Sequence, residues 1–428
     1  MNKIILFIAL VFLYSCSSQQ IFEDPAAHQD EIQSLENKID FDSSNSNAIK
    51  DLALILVRTK QSAKAESVLL KALERFPGDP ELIFHLGLNY ELLNDKARAL
   101  EYYKQYPAVP SDSPYKELMY GRYLYLSREV AYAEIKEMVK QEQSISQTKL
   151  SKDTLAVFPL KYLGPQDNYS PLGRGFSEMI SMDLAKVDKL TVLERVRLQA
   201  IMDELKLGQS PQMDESTAPR TGKILRAGLV YSGSYNVSED GQLKVDIGSW
   251  EVETGSESEW VSKSDDVHYL FQLEKDLVFR IIQDLEIELT SEERQQIEYI
   301  PTENIEAFLA FSRGLISEDG GMFGEAASHY QEAVNIDPQF NTARIKLESV
   351  STLNLGSGST EQFLGVSLGF QPETEPGKNE LVGSRITNLS NAIRSNFLPG
   401  VDNRKGAQEE SNAEDLGTLP SPPPPPGR

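Results

Sequence analysis

The hydrophobic period of this chain changes twice, and those changes constrain the fold more than any other feature. Up to about residue 147 the apolar residues recur at helical spacing. From Asp153 to about residue 290, short strand-like runs alternate with helical ones, which predicts a sheet with helices packed on it. A helical pattern then returns over 303–347. The expected fold class is therefore a central α/β sandwich flanked by all-α segments.

The first helical stretch, 46–147, carries an internal period. Ala53, Ala65, Leu69 and Ala72 stand 34 residues before Gly87, Ala99, Tyr103 and Tyr106, and Gly121 and Ala133 continue the register. A Pro77-Gly78-Asp79-Pro80 break separates the first two copies. Leu86-Gly87, Tyr90, Asn94-Asp95, Ala99 and Tyr103 resemble a tetratricopeptide repeat, whose small residues let paired helices approach closely. The expected units are 46–79, 80–113 and a degenerate 114–147. A further copy lies at 307–340, where Gly314, Ala326, Tyr330, Ala333 and Pro338 keep the same places. The resemblance implies a concave protein-binding face lined by first helices. Phe84, Leu88, Glu91, Arg122 and Tyr125 are its candidate protein-binding residues; packing against the next domain is the alternative role. His85 reads as a packing or solvent residue instead of a ligand.

Within 153–290, Leu155–Leu160 predicts a buried strand, Gly173–Val187 a helix, Leu190–Arg195 a second strand, and Leu198–Leu205 a second helix. Residues 228–235, 243–247 and 250–261 predict an antiparallel meander with turns at Ser238–Gly241 and Glu253–Gly255, closed by a helix over Leu270–Leu289. The runs Leu155-Ala-Val-Phe-Pro159, Val192-Leu-Glu-Arg195, Ala227-Gly-Leu-Val-Tyr-Ser-Gly233 and Asp246-Ile-Gly-Ser-Trp250 resemble the CsgG/HfaB curli-assembly family and the related FlgO and TolB amino-terminal-like domains. That resemblance implies an envelope protein. Some members form outer-membrane secretion rings, whereas others lack a pore. A membrane strand needs about 9–11 residues of alternating lipid-facing character, yet only Asn236–Gln242 separates the first two meander strands. Leu229, Tyr231, Tyr235 and Val237 alternate with smaller residues, as a half-buried strand also does.

The sole cysteine of the chain, Cys16, ends a basic start and a short apolar run, Ile4–Leu13. Ten apolar residues are too few to span a bilayer comfortably. Leu13-Tyr14-Ser15-Cys16 resembles a bacterial lipobox, which implies removal of a 1–15 leader and lipidation at Cys16. Ser17 in place of Asp favours an outer-membrane, periplasm-facing location by the same resemblance. Residues 16–45 are expected to form a tether, and 351–428 a mostly disordered tail ending in the proline run Pro422–Pro426. A short amphipathic helix is expected over 386–397.

A net charge of −23 disfavours nucleic acid as a partner. Four scattered histidines and one cysteine offer no metal-ligand spacing, and no Walker or nucleophile-elbow motif occurs. Gly173-Arg174-Gly175 is expected to let a helix pack on its strand. Glu194-Arg195 and Asp203-Glu204 are expected to form solvated ion pairs at a strand end and on a helix face. No catalytic residue, metal or cofactor is assigned. The expected function is a non-enzymatic adaptor in envelope assembly or secretion, anchored to the membrane by lipid, contacting other envelope proteins through the repeat face, and able to form a homo-oligomer. A subunit of an oligomeric export channel and an enzyme of unknown type are the alternatives.

Overall fold

The computed structural model describes residues 24–39, 47–142, 150–208, 213–214, 216–258 and 260–369. The leader, Cys16, the 386–397 helix and the proline run lie outside these residues. The chain divides into two compact units, one formed by residues up to Asp95 with a segment from Ser359, the other by Lys96–Gly358. No helix among the described residues is long and apolar enough to cross a membrane.

The first unit is helical: α1 (Gln29–Lys38), α2 (Asn47–Arg58), α3 (Ser62–Arg75), α4 (Pro80–Leu92) and α15 (Thr360–Gly369). Part of the expected tether is thus ordered, because Ile32 buries and Asp24 accepts from the Ala26 N–H just before Pro25. The expected break at 77–80 is the turn into α4. Asp79 caps that helix by accepting from the Glu81 and Leu82 N–H groups, and Pro80 sits in its first turn, where no N–H is required. Tyr90 donates to Glu66 at 2.9 Å and Asn89 to the Ser62 carbonyl at 3.1 Å, tying α4 to α3.

The second unit contains α5 (Lys96–Tyr103), α6 (Pro114–Lys140), α7 (Leu172–Leu184), α8 (Arg195–Glu204), α9 (Thr217–Leu225), α10 (Leu270–Asp284), α11 (Ser291–Glu298), α12 (Ile305–Asp319), α13 (Phe323–Ile336) and α14 (Asn341–Gly356). Its strands are β1 (Thr154–Val157), β2 (Lys161–Tyr162), β3 (Thr191–Val192), β4 (Leu229–Val237), β5 (Gln242–Glu251) and β6 (Val261–Asp266). The sheet order is β3-β1-β4-β5-β6, with β2 also on β4. β3, β1 and β4 are parallel; β4, β5 and β6 are antiparallel. The expected strand 155–160 is split into β1 and β2 around Pro159, which has no N–H to give a ladder. The third meander strand is 261–266, not 250–261, because Trp250 still belongs to β5. The 253–255 turn folds back only far enough to bridge Glu257 to Trp250.

One sheet face, bearing Val157, Tyr231, Tyr235, Val245 and Ile247, shares a core with α7, α10 and the helices α12–α14. The opposite face, bearing Phe158, Val230 and Trp250, packs against α8, α9 and the end of α6. The late helical segment is therefore part of this unit's core, not a separate module.

The third expected repeat is a correction. Residues 114–140 form one 27-residue helix instead of a pair. At the turn position of the other copies Lys60, Asn94 and Gly321 adopt left-handed φ values of 54°, 57° and 75°. In the same register Arg128 stays helical. The residue type alone does not decide this, since Lys60 takes the left-handed conformation in the first copy; Arg128 instead donates to the Asp319 carbonyl at 2.6 Å from its place in the helix.

The start of the expected tail, from residue 351, is also corrected. α14 continues to Gly356 and α15 occupies 360–369. Val350, Leu353, Phe363 and Leu364 supply buried apolar positions that outweigh the local Gly and Ser content.

Candidate functional site

The repeat-face candidates do not form an exposed surface. Phe84 and Leu88 are fully buried in α4. Glu91 accepts from Thr360 at 2.7 Å within the first unit. Arg122 is 2% exposed and donates to the carbonyls of Gly356 and Gly358, each at 2.6 Å, satisfying the end of α14. Its guanidinium also lies 5.2 Å from the half-buried Tyr125 ring centroid. The reason is local: a Cβ on Gly121 would stand 2.6 Å from the Thr352 carbonyl oxygen, so α6 and α14 cross at glycine distance and draw in the next side chain. His85 is fully buried, and desolvation lowers it to about 4.

Of the four residues expected in solvated ion pairs, Arg195 instead belongs to a buried network, while Asp203 and Glu204 stay exposed. Arg174 of α7 contacts Asp319 at 2.9 Å and donates to Gln199 at 2.6 Å. Arg195 contacts Glu318 at 2.5 Å, Glu178 at 3.4 Å and, closely, Asp319. Lys346 contacts Glu178 at 2.9 Å, and Tyr330 donates to Glu318 at 2.6 Å. Burial alone would raise Glu318, but Arg195 and Lys346 outweigh it and hold the carboxyl at about 2. Burial nevertheless raises Asp319 against the pull of Arg174 and Arg195, and the three cations and three carboxylates together tie α7, α8, α12 and α14 to one another. Gly173 and Gly175 serve the same packing, since added Cβ atoms would meet the Leu160 carbonyl oxygen at 2.1 Å and the Ser312 hydroxyl at 2.2 Å. Among the described residues no group of three His, Cys, Asp or Glu could hold a metal.

Among the described residues, no helix covers the polar half of the second sheet face. Along β4 and β5 the paired residues there run Val230–Trp250, Ser232–Gly248, Ser234–Asp246 and Asn236–Lys244, with Ser262 and Ser264 on β6 beside the last two. The apolar cover thus stops at Trp250. Beyond it lies a hollow of about 390 Å³, lined by Lys161, Leu163, Met213, Asp214, Ser232–Ser234, Trp250, Glu257 and Trp260, a volume in the range of ordinary ligand pockets. Trp260 is 41% exposed and Leu163 60%. A Cβ on Gly248 would come within 2.9 Å of the Trp260 ring, so glycine there lets the indole lie on the strand. Trp250 stands edge-on to Trp260 at 5.6 Å and 85°, and Glu257 accepts closely from the Trp260 indole N–H. The Trp250 indole nitrogen is buried with no acceptor among the described residues. Asp214 is held ionised at about 2 by the Thr217 N–H and the Ser216 hydroxyl and N–H. An exposed aromatic plane, small residues on the floor and carboxylates at the rim can bind an apolar ring with a cation near it. From sequence Ser232–Ser234 and the 250–261 stretch with both tryptophans were placed only as strand residues. The alternation of small polar residues on β4 and β5 was the available signal, but which face lacked helices was not.

Two solved structures are similar. The LpoB C-terminal domain from Salmonella enterica is 17% identical over 31% of this chain and 95% of that one, with a TM-score of 0.22. The corresponding Escherichia coli domain is 14% identical over 32% and 98%, with a TM-score of 0.23. No curated protein matches. The family model for the curli production assembly/transport component CsgG matches residues 131–239, from within α6 to the β4–β5 turn; it covers the runs ending at Pro159, Arg195 and Gly233, while Asp246–Trp250 lies beyond it.

Proposed function

We propose that this chain is a non-enzymatic outer-membrane lipoprotein, anchored through Cys16 and facing the periplasm, that acts as a protein-interaction adaptor in envelope assembly or secretion. The observation that carries this reading is the CsgG family-model match on the sheet domain. The interaction surface is the open half-sheet with its Trp260 shelf, in place of the repeat face first expected. The export-channel alternative is disfavoured by the β4–β5 hairpin. Its strands are paired throughout up to Val237–Leu243 and closed by the Ser238–Gly241 turn. Leu229, Tyr231, Tyr235 and Val237 face the protein core instead of lipid.

The test is fractionation and sedimentation of the lipidated protein after mild detergent extraction. The wild-type chain should sediment as a monomer or small complex from the outer-membrane fraction, and Cys16→Ser should move it to the soluble periplasm. A many-membered ring would overturn the adaptor in favour of the channel. Unchanged membrane association of Cys16→Ser would overturn the anchor, and turnover in a broad hydrolase screen would overturn the non-enzymatic assignment.

A further inference from the structure

We infer that the hollow over β4 and β5 takes a proline-rich segment in polyproline II form, and that its resident occupant is this chain's own Pro422–Pro426 run. The inference rests on reading the hollow as a binding surface.

Three observations meet here. First, the hollow presents what a prolyl ring stacks on: the exposed Trp260 indole, with Leu163 as a second apolar wall and Ser232, Gly233 and Gly248 keeping the floor low. Proline-rich ligands dock on aromatic-lined grooves because their fixed φ leaves little conformational entropy to lose. The Trp260 N–H is already taken by Glu257, so the indole offers its ring instead of a donor. Second, the charges match. Arg428 follows the run by two residues, and the lining holds two carboxylates, Asp214 and Glu257, against one cation, Lys161, which leaves it net acidic. Third, the segment can reach. Fifty-two residues separate Gly369 from Pro422, which at full extension allows roughly 170 Å, several times the breadth of a domain of this size. A tethered ligand also acts at an effective concentration of about millimolar, so even a weak prolyl contact is occupied in cis.

The two tryptophans of the chain, Trp250 and Trp260, both line the hollow, so their emission reads its occupancy without a label. The full chain is compared with one carrying Pro422→Ser, Pro423→Ser, Pro424→Ser, Pro425→Ser and Pro426→Ser together. The substituted chain should show red-shifted emission and about twofold greater quenching by acrylamide. A synthetic peptide of residues 417–428 added to it should restore the wild-type emission at roughly millimolar concentration or below. The same peptide should bind at least about tenfold more weakly when Trp260→Leu is added, with Trp250 as reporter. Leu163→Asp provides a second, more exposed lesion should Trp260→Leu lose its circular dichroism signature.

Emission and quenching identical in the two full chains would overturn the inference, as would peptide binding indifferent to both lesions. A hollow that ignores the peptide but responds to a soluble glycan oligomer would overturn it in favour of sugar stacking on Trp260. Failure of the adaptor reading looks different: a ring, or a soluble fraction unaffected by Cys16, leaves the tryptophan response untouched.

Discussion

Replacing Glu274 by methionine should stabilise the second unit, and should do so in a pH-dependent way. Glu274 lies on the inner face of α10 with no exposed surface. Its Oε2 is 3.3 Å from the Lys275 ammonium, outside hydrogen-bonding geometry, while Lys275 contacts Asp183 closely. Burial pushes the carboxyl up from 4.5 to about 8; the Asp183 charge adds to this and Lys275 opposes it.

The folded state therefore holds a proton that the unfolded chain releases near 4.5. Its contribution to stability is fully present below 4.5 and is lost as pH rises through 8. At about 1.4 kcal/mol per pH unit, holding that proton costs about 3 kcal/mol at pH 7 relative to the acid limit. Methionine has a similar length and no charge, and it leaves Lys275 paired with Asp183. Glu274→Met should gain about 1–3 kcal/mol at pH 7, or roughly 2–4 °C in Tm per kcal/mol for a unit of this size. The gain should be small near pH 5 and largest near pH 8. Urea unfolding followed by tryptophan emission isolates this unit, because Trp250 and Trp260 both lie within it. The difference between variant and wild type removes the titration of every other group. A difference flat from pH 5 to 8, or a variant less stable than wild type at pH 7, refutes the reasoning.

Gly121→Ala should lose about 1–3 kcal/mol, because its Cβ would press on the Thr352 carbonyl and the Gly356 backbone; the same urea titration reads it. Arg195→Met should lose about 3–5 kcal/mol by leaving Glu178, Glu318 and Asp319 under-compensated in the core, and a circular dichroism melt checks this. His85 is held at about 4 by burial, below its ordinary 6.5. The first unit should therefore lose up to about 1.4 kcal/mol per pH unit as pH falls from 6.5 toward 4. His85→Leu should abolish that acid slope in far-ultraviolet circular dichroism, and an unchanged slope would show that other groups carry it.

The change of period at Asp153 and the core residues of the sheet were legible in sequence, because burial on one face imposes a period of two on a strand and 3.6 on a helix. The helix pairs about Asn94 and Gly321 were legible too, since these turn residues tolerate positive φ, whereas Lys60 takes the same conformation in the first pair without such a mark. The third unit was not. Gly121 and Ala133 keep the register, but one arginine at the turn position allows the helix to run on, and the carbonyl that holds it there lies 191 residues away.

The candidate site divides in the same manner. Arg122 and Phe84 carry no mark in sequence that separates a binding residue from a buried one; the difference is made by what lies opposite, the end of α14 for Arg122. Trp260 likewise becomes a shelf only because Gly248 lies beneath it and because the helices on that face stop at Trp250. The sequence by itself determined the helical and mixed segments and the core positions, through local periodicity and the preferences of single residues. Tertiary structure alone decided which surfaces stayed open, because exposure depends on neighbours brought together from across the chain.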